Sequence, residues 1–385
     1  MEPFYEKGKK YNFRVNGVPY FRATVTINGK RHQVYGDGEK DAKKKIEELK
    51  KLAATGVNLD YQKANTGEVF KHWFYDIKRS DKKLKASSMA RYDGAYKKHI
   101  APYPIMNEKL SRLNSAKFQS YLTALHEEHG VSGSTVELVC LLWKMFCSWC
   151  LDEGYINKDP CRKAVLPGKY DKGKKEIEVF TEAERAAILT YMEKTKYQYD
   201  TVIKLAFSTG MRMGELFALR WEDITSDGVI HVKHSTDRVT HIDKDGNKER
   251  YRELWETKSK NSVRNIPMTA ATHEMLKKHH AQQKLFFVAH GLGTPEYVFT
   301  TETGEVISHS NFRKSYQRML QRAGVPYRKF HATRHTFATE AIRRGVDVKD
   351  LQLILGHSDV QTTYIYVQSD DGSRKDAIEK IGAIV

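Results

Sequence analysis

The chain has 385 residues, 40% of them hydrophobic and 29% charged, a balance ordinary for a globular chain of two or three domains. Its formal net charge of +17 is not ordinary and points to a polyanionic partner, nucleic acid or an anionic membrane surface. No stretch approaches the ~18 apolar residues of a membrane span, and the opening Met-Glu-Pro-Phe-Tyr-Glu-Lys has no apolar signal region, so we expect a cytoplasmic, nucleic-acid-binding protein with no membrane partner.

Residues 1–60 read as a small β module. Tyr11–Val15 and Tyr20–Ile27 alternate and are rich in β-branched and aromatic residues, and each ends in Asn-Gly, a hairpin signal. A third strand over about Lys30–Tyr35 follows, then a helix from Asp41 with Ile46, Leu49 and Leu52 at helical spacing. Arg14, Arg22, Lys30 and Arg31 are expected to line one sheet face and enter a DNA groove, as strands of β-sheet DNA readers do. Residues 64–165 read as all-helical, with helices from Thr66, over Ser87–Ile100, over Ser115–Leu125, and over Ser134–Glu153 up to Gly154. Lys82, Lys83, Lys85 and Arg91 gather at the start of the second of these helices, where donors meet phosphate. Cys140, Cys147, Cys150 and Cys161 all fall in this region. Cys147-Ser-Trp-Cys150 has the spacing of half a zinc site, but its flanks are those of a buried helix and no second Cys/His pair follows, so we read these cysteines as structural.

A basic, glycine-containing linker, Pro167–Lys175, leads to a third region, 176–385, opened by a capping box at Thr181-Glu-Ala-Glu184. This region runs through two helices, a β segment from Gly228 to Pro267, then helices to the end. It also carries the chemistry. Arg212 in Thr-Gly-Met-Arg-Met-Gly-Glu215 and Arg334 in His331-Ala-Thr-Arg-His335 supply guanidinium groups. His331, His335 and His357 supply imidazoles, and Tyr364 and Tyr366 supply phenols. No acidic cluster suited to a metal accompanies them, so we expect no cofactor and no metal. The set suits covalent attack on a phosphate ester, with arginine forks neutralising the non-bridging oxygens. Spacing alone does not choose between the two tyrosines.

In these boxes the third region resembles the catalytic domain of tyrosine recombinases, the phage integrase family. Ser208–Leu219 matches the family's first arginine box, His331–Thr339 its His-x-x-Arg-His box, and Leu355-Gly-His357-Ser358 with Thr362-Thr363-Tyr364-Ile365-Tyr366 the box that holds the nucleophile. Four matching segments in order make the resemblance specific. It departs at Ala332, where the family usually has an acid, and at Gln368, where a histidine often stands. The resemblance implies a multidomain α+β fold. Its parts are a small N-terminal three-stranded β module with helix that reads arm-type sites (1–60), an all-α, SAM-like core-binding domain (64–165), and a mostly α catalytic domain with a small β-sheet and a C-terminal tail helix (176–385). It implies Tyr366 as nucleophile, Arg212 and Arg334 on the phosphate, and His331 and His357 as proton acceptors or phosphate ligands. Glu215 is implied as a support for Arg212, and His335 as a residue that either touches the surroundings of the nucleophile or caps a helix. For the proton donor to the leaving oxygen it implies Lys258, chosen over Lys260 because Thr-Lys-Ser-Lys is similar to the family's Pro-Lys-Thr-Lys.

The implied activity is site-specific cleavage and rejoining of DNA through a 3′-phosphotyrosyl intermediate, integrating and excising a mobile element. The implied partners are double-stranded DNA at core and arm sites, further copies of the chain as a tetramer on DNA, with the tail helix (residues 373–385) docking on a neighbouring copy, and accessory DNA-bending or excision factors. The alternatives are a type IB topoisomerase-like strand transferase and a catalytically silent DNA-binding regulator.

Overall fold

The computed structural model describes residues 2–59, 61, 64–168, 177–256 and 263–367. Lys258, Lys260, most of the basic linker and the expected tail helix lie outside the described residues. The chain forms two compact units, Met1–Gly173 with Thr240–Glu249, and Lys174–Val239 with Arg250–Val385. The first two of the three expected regions thus fall within one unit.

That unit begins with a hairpin the sequence reading misses, β1 (Phe4–Glu6) paired antiparallel with β2 (Lys9–Tyr11). Its turn is Lys7-Gly8, with φ of 50° and 73°, the same left-handed pair as the two Asn-Gly turns that follow. Next, β3 (Phe13–Val15), β4 (Val18–Ile27) and β5 (Lys30–Gly36) form the expected three-stranded antiparallel sheet. Helix α1 (Glu39–Ala54) covers one face of it, packing so closely that a Cβ on Gly36 would meet the Ala42 backbone nitrogen at 2.3 Å. The register corrects one expectation. Successive strand residues alternate faces. Arg22 opposite Tyr35 and Arg31 opposite Thr26 therefore share the open face, while Arg14 opposite Pro19 and Lys30 opposite Ile27 belong to the other. Arg14 is instead ion-paired to Glu6 at 2.7 Å and lies over the Phe4 ring. The four basic residues do not form one surface.

The helical part comprises α2 (Thr66–His72), a π-helical turn (Trp73–Lys78), α3 (Ala86–His99), α4 (Ser115–Glu127) and α5 (Gly133–Asp152). Asn65 caps α2 by accepting from the amides of Gly67 and Glu68, and Asn114 caps α4 through Lys117. Phe70, Trp73, Phe74, Tyr96, Trp143 and Phe146 form an aromatic core. Helix α5, with 20 residues and an 18-residue stretch of mean hydropathy 1.4, is by length and composition long and apolar enough to cross a membrane, which corrects the reading that no stretch approaches that length. Its apolar character has another use here, since Val136, Val139, Leu142, Trp143 and Phe146 are fully buried among the neighbouring helices. All four cysteines are buried, with Cys147 and Cys161 sulfurs 3.5 Å apart, and burial pushes the Cys140 and Cys150 thiols up. Asn58 N donates to Gly154 O at 2.9 Å and Tyr61 stacks on Tyr155 at 4.0 Å, which joins the β module to the helices. Lys82, Lys83, Lys85 and Arg91 are all exposed at the start of α3.

Thr240–Glu249 belongs to this unit although it comes from the expected catalytic region. Ile242 is buried in the helical core, Lys97 donates to Gly246 O at 2.6 Å, and Lys248 pairs at 3.0 Å with Asp93, a fully buried carboxylate that also accepts from Tyr75.

The second unit starts with α6 (Glu182–Thr195), where the Thr181–Glu184 capping box is formed, then α7 (Asp200–Thr209) and α8 (Met213–Ala218). β6 (Val229–Val232), β7 (His234–Ile242), β8 (Lys248–Glu256) and β9 (Arg264–Pro267) come next in the chain, β6 paired antiparallel with β9 and β7 paired with β8; Thr240–Ile242 of β7 and Lys248–Glu249 of β8 are the parts that belong to the first unit. Helices α9 (Ala270–Ala289), α10 (His309–Arg322), α11 (Ala332–Arg343), α12 (Val348–Leu355) and α13 (Gln361–Tyr364) complete it. Leu216, Phe217, Ile230, Val298, Phe312 and Leu320 are at the centre of its core.

Candidate active site

The site is built where α7, α11 and α12 converge. Helix α7 ends at Gly210, with φ of +63°; a side chain there would meet the Phe337 ring at 2.6 Å, so glycine serves both the left-handed turn and the close approach of α11. The turn delivers Arg212 to the N-cap of α8. Three residues later Glu215, 3% exposed, accepts from the Arg212 amide at 2.9 Å and from Arg212 Nη1 at 2.8 Å. Glu215 also receives both terminal nitrogens of Arg264, at 3.1 and 2.8 Å, from the first residue of β9. Arg264 is 8% exposed, and its Nε donates to Ile354 O. It was not singled out from the sequence. No local signal marks it, because its partner carboxylate is 49 positions away.

Arg334, 1% exposed on α11, donates to Gly210 O at 2.9 Å and to Leu355 O at 2.7 Å, and its Nε has no partner among the described residues. Arg212 reaches Gly356 O at 3.4 Å. Two guanidinium groups, of Arg212 and Arg264, therefore share one carboxylate, and that of Arg334 is held by backbone carbonyls beside them. Burial would raise the Glu215 carboxyl, but the hydrogen bonds and charge of Arg264, with those of Arg212, outweigh it and hold it at about 2. Burial and the facing charge of Arg212 push Arg334 down to about 9. The cage has an excess of positive charge and donors not all used within the protein, a composition suited to holding an anion.

Tyr366 follows α13 and is 4% exposed, packed with Ala338, Leu351 and Leu355. Tyr364 is half exposed. The Tyr366 hydroxyl lies 2.8 Å from His335 Nδ1, in a bond the phenol donates when that nitrogen is unprotonated. Burial raises the phenol, and the charges of Arg334 and Arg212 pull it back. Of the two roles left open for His335, contact with the surroundings of the expected nucleophile is the one this hydrogen bond favours. His331 and His357 do not bond the phenol. His357 is held by Thr363 Oγ1 at 2.8 Å, with its ring 6.5 Å from that of Tyr366 and nearly parallel to it. His331 sits edge-on to His335 at 4.7 Å. Part of its ring is open to solvent, yet the protein packed around it, then the charges of His335 and Arg334, push it to about 4. Burial and the same arginines bring His357 to about 4, and burial lowers His335. All three imidazoles are neutral at pH 7.

Arg212, Glu215, His331, Arg334, His335, His357 and Tyr366 are thus brought together, with Arg264 added. Lys258 lies outside the described residues. Arg14, Arg22, Lys30, Arg31, Lys82, Lys83, Lys85 and Arg91 belong to the other unit.

A model of the phage integrase family matches residues 178–373. A tyrosine recombinase XerC-like protein of Caldanaerobacter subterraneus subsp. tengcongensis is 36% identical, over 97% of this chain and 98% of its own length. Tyrosine recombinase XerC of Bacillus pumilus is 25% identical over 79% of this chain and 93% of its own length. Among solved structures, the Tn1549 transposon integrase in complex with transposon right end DNA is similar at a TM-score of 0.68 and 19% identity, covering 81% of this chain and 99% of that one. A lambda integrase dimer bound to a COC′ core site is similar at a TM-score of 0.57 and 17% identity, covering 94% and 95%. At such identities these likenesses speak for the fold.

Proposed function

Because the chain belongs to the phage integrase family, the tyrosine recombinases, we propose that Tyr366 is the nucleophile with which it cuts and rejoins DNA. It is a site-specific DNA recombinase. The observation that carries the assignment of the site is the Tyr366 hydroxyl, 2.8 Å from the His335 imidazole, beside Arg334 and the pair of Arg212 and Arg264 that shares the Glu215 carboxylate.

The chemistry follows from those parts. A phosphodiester bound by Arg212 and Arg334 has its charge neutralised by fixed donors that strengthen as charge grows on the equatorial oxygens. Tyr366 Oη attacks phosphorus while its proton passes to His335 Nδ1, and the bond to the 5′-oxygen breaks. That oxygen takes a proton, which we assign to Lys258. The product is a 3′-phosphotyrosyl ester and a free 5′-hydroxyl. The ester keeps the bond energy, so the reverse step rejoins the strand without a nucleotide cofactor. His331 and His357, both neutral, hydrogen-bond the phosphate. Glu215 positions Arg212 and Arg264.

We assign the finer features on the same basis. The substrate is double-stranded DNA at the ends of a mobile element that the protein integrates and excises, in the cytoplasm. A tetramer assembles on that DNA, with accessory bending or excision factors. Arg22 and Arg31 on the open sheet face of the β module, and Lys82, Lys83, Lys85 and Arg91 at the start of α3, contact DNA backbone or groove. The test is a two-site exchange assay beside a supercoil-relaxation assay. Products joined from two duplexes support the reading. Relaxation without exchange favours a topoisomerase, and binding with neither favours a silent regulator.

A further inference from the structure

His331 faces two spaces. One is the arginine cage. The other is a cavity of about 510 Å³ whose lining includes Met213, Arg313, Tyr316, Tyr327 and Lys329 and no carboxylate. Arg313 and Lys329 are exposed, and their side chains have no ion pair or hydrogen bond among the described residues. Arg328, between Tyr327 and Lys329 in sequence, is treated differently: it pairs with Glu184 at 2.8 Å and lies over the Phe180 ring. The fold therefore neutralises one cation of this segment and leaves its neighbour available. Tyr327 presents a ring that is 55% exposed. Tyr316 is 2% exposed, and its hydroxyl has no hydrogen-bond partner among the described residues, a buried donor in the wall of an open cavity.

We propose that this cavity seats the nucleotide next to the cleaved phosphate, with Arg313 and Lys329 on its phosphate and the Tyr327 ring against its sugar or base; the proposal rests on the recombinase reading. A DNA strand carries a phosphate every ~3.4 Å of its axis, so a strand whose scissile phosphate lies on Arg212 and Arg334 brings the next one within a single nucleotide step. His331 is shared by the two spaces, which makes the cavity the adjoining stop for that step. Two unpaired cations answer the phosphate, the ring and the Met213 thioether answer the apolar faces of the nucleotide, and the Tyr316 hydroxyl offers a bond to an acceptor atom. Arg313, Lys329 and Tyr327 are thus positioning residues, which hold the strand so that the phosphorus stays in line with Tyr366.

Single-turnover cleavage of a nicked suicide duplex tests this, with the phosphates around the cleaved one replaced one at a time by neutral methylphosphonate. We expect one flanking position at which the wild-type protein slows about tenfold, the scale of one lost charged contact. Arg313→Ala and Lys329→Ala should slow on unmodified DNA and lose little more at that same methylphosphonate. Tyr327→Ala should lose its effect when the flanking nucleotide is abasic. A merely structural role would lower the thermal unfolding midpoint and would not single out one phosphate. Losses that multiply at every position, or variants as fast as wild type on unmodified DNA, overturn the proposal while leaving the recombinase reading intact. Absence of a covalent adduct with wild type on every duplex overturns both.

Discussion

Glu215 binds both Arg212 and Arg264, and removing its charge gives a calculable result. The surrounding arginines hold its carboxyl at about 2, against an ordinary 4.5. At ~1.4 kcal/mol per pH unit, that displacement makes the ionised form worth about 3 kcal/mol to the folded state. The folded value is depressed, so the contribution is fully present above pH 4.5 and is lost as pH falls towards 2. Glu215→Gln keeps the shape but removes the negative charge that the buried Arg264 and the half-buried Arg212 both bind, a change that costs about 3–5 kcal/mol in buried pairs. In urea titrations at pH 7 the variant should lose about 3 kcal/mol, and between pH 4.5 and 2 it should lack the wild-type decline. Cleavage should slow as well, because Arg212 is no longer held at both its amide and its guanidinium. A loss below about 1 kcal/mol at pH 7, with an unchanged acid limb, would refute the account of the cage.

Further expectations concern the chemistry. Arg334→Ala should slow single-turnover cleavage by about 2–4 kcal/mol of transition-state stabilisation, read as a fall of two or more decades in rate with DNA binding retained. His335 accepts the phenolic proton only when neutral, and burial lowers its pKa, so the cleavage rate should fall at pH values below the ordinary histidine range, and His335→Ala should flatten that limb. A limb unchanged in His335→Ala would remove this residue from the proton path. DNA affinity should drop steeply with salt, and Lys82→Ala, Lys83→Ala and Arg22→Ala should each reduce the salt slope by roughly one. A slope unchanged in a variant excludes that side chain from phosphate contact.

The chemistry was more legible than the packing. Attack on a phosphodiester demands particular residue types, so Arg212, Arg334, the histidines and the nucleophile's box stand out from the sequence. Local signals also held: the Asn-Gly turns and the Thr181 capping box form where sequence places them, because each is decided within four residues. What escaped depends on distant pairings. Arg264 matters only because Glu215 is 49 positions away, and His335 meets Tyr366 across 31. The split of Arg14 and Lys30 from Arg22 and Arg31 follows from strand register, which composition does not contain. Thr240–Glu249 joins the first unit through Ile242 and Lys248, and neither residue announces a partner at Asp93 or in the aromatic core.

The most direct measurement is a covalent trap: a nicked suicide duplex of the element end, incubated in EDTA, with the DNA-linked peptide then mapped. The account predicts an adduct on Tyr366 that forms without divalent ions and is lost in Tyr366→Phe while DNA binding persists. An adduct on Tyr364, a need for magnesium, or no protein on the broken end would contradict it.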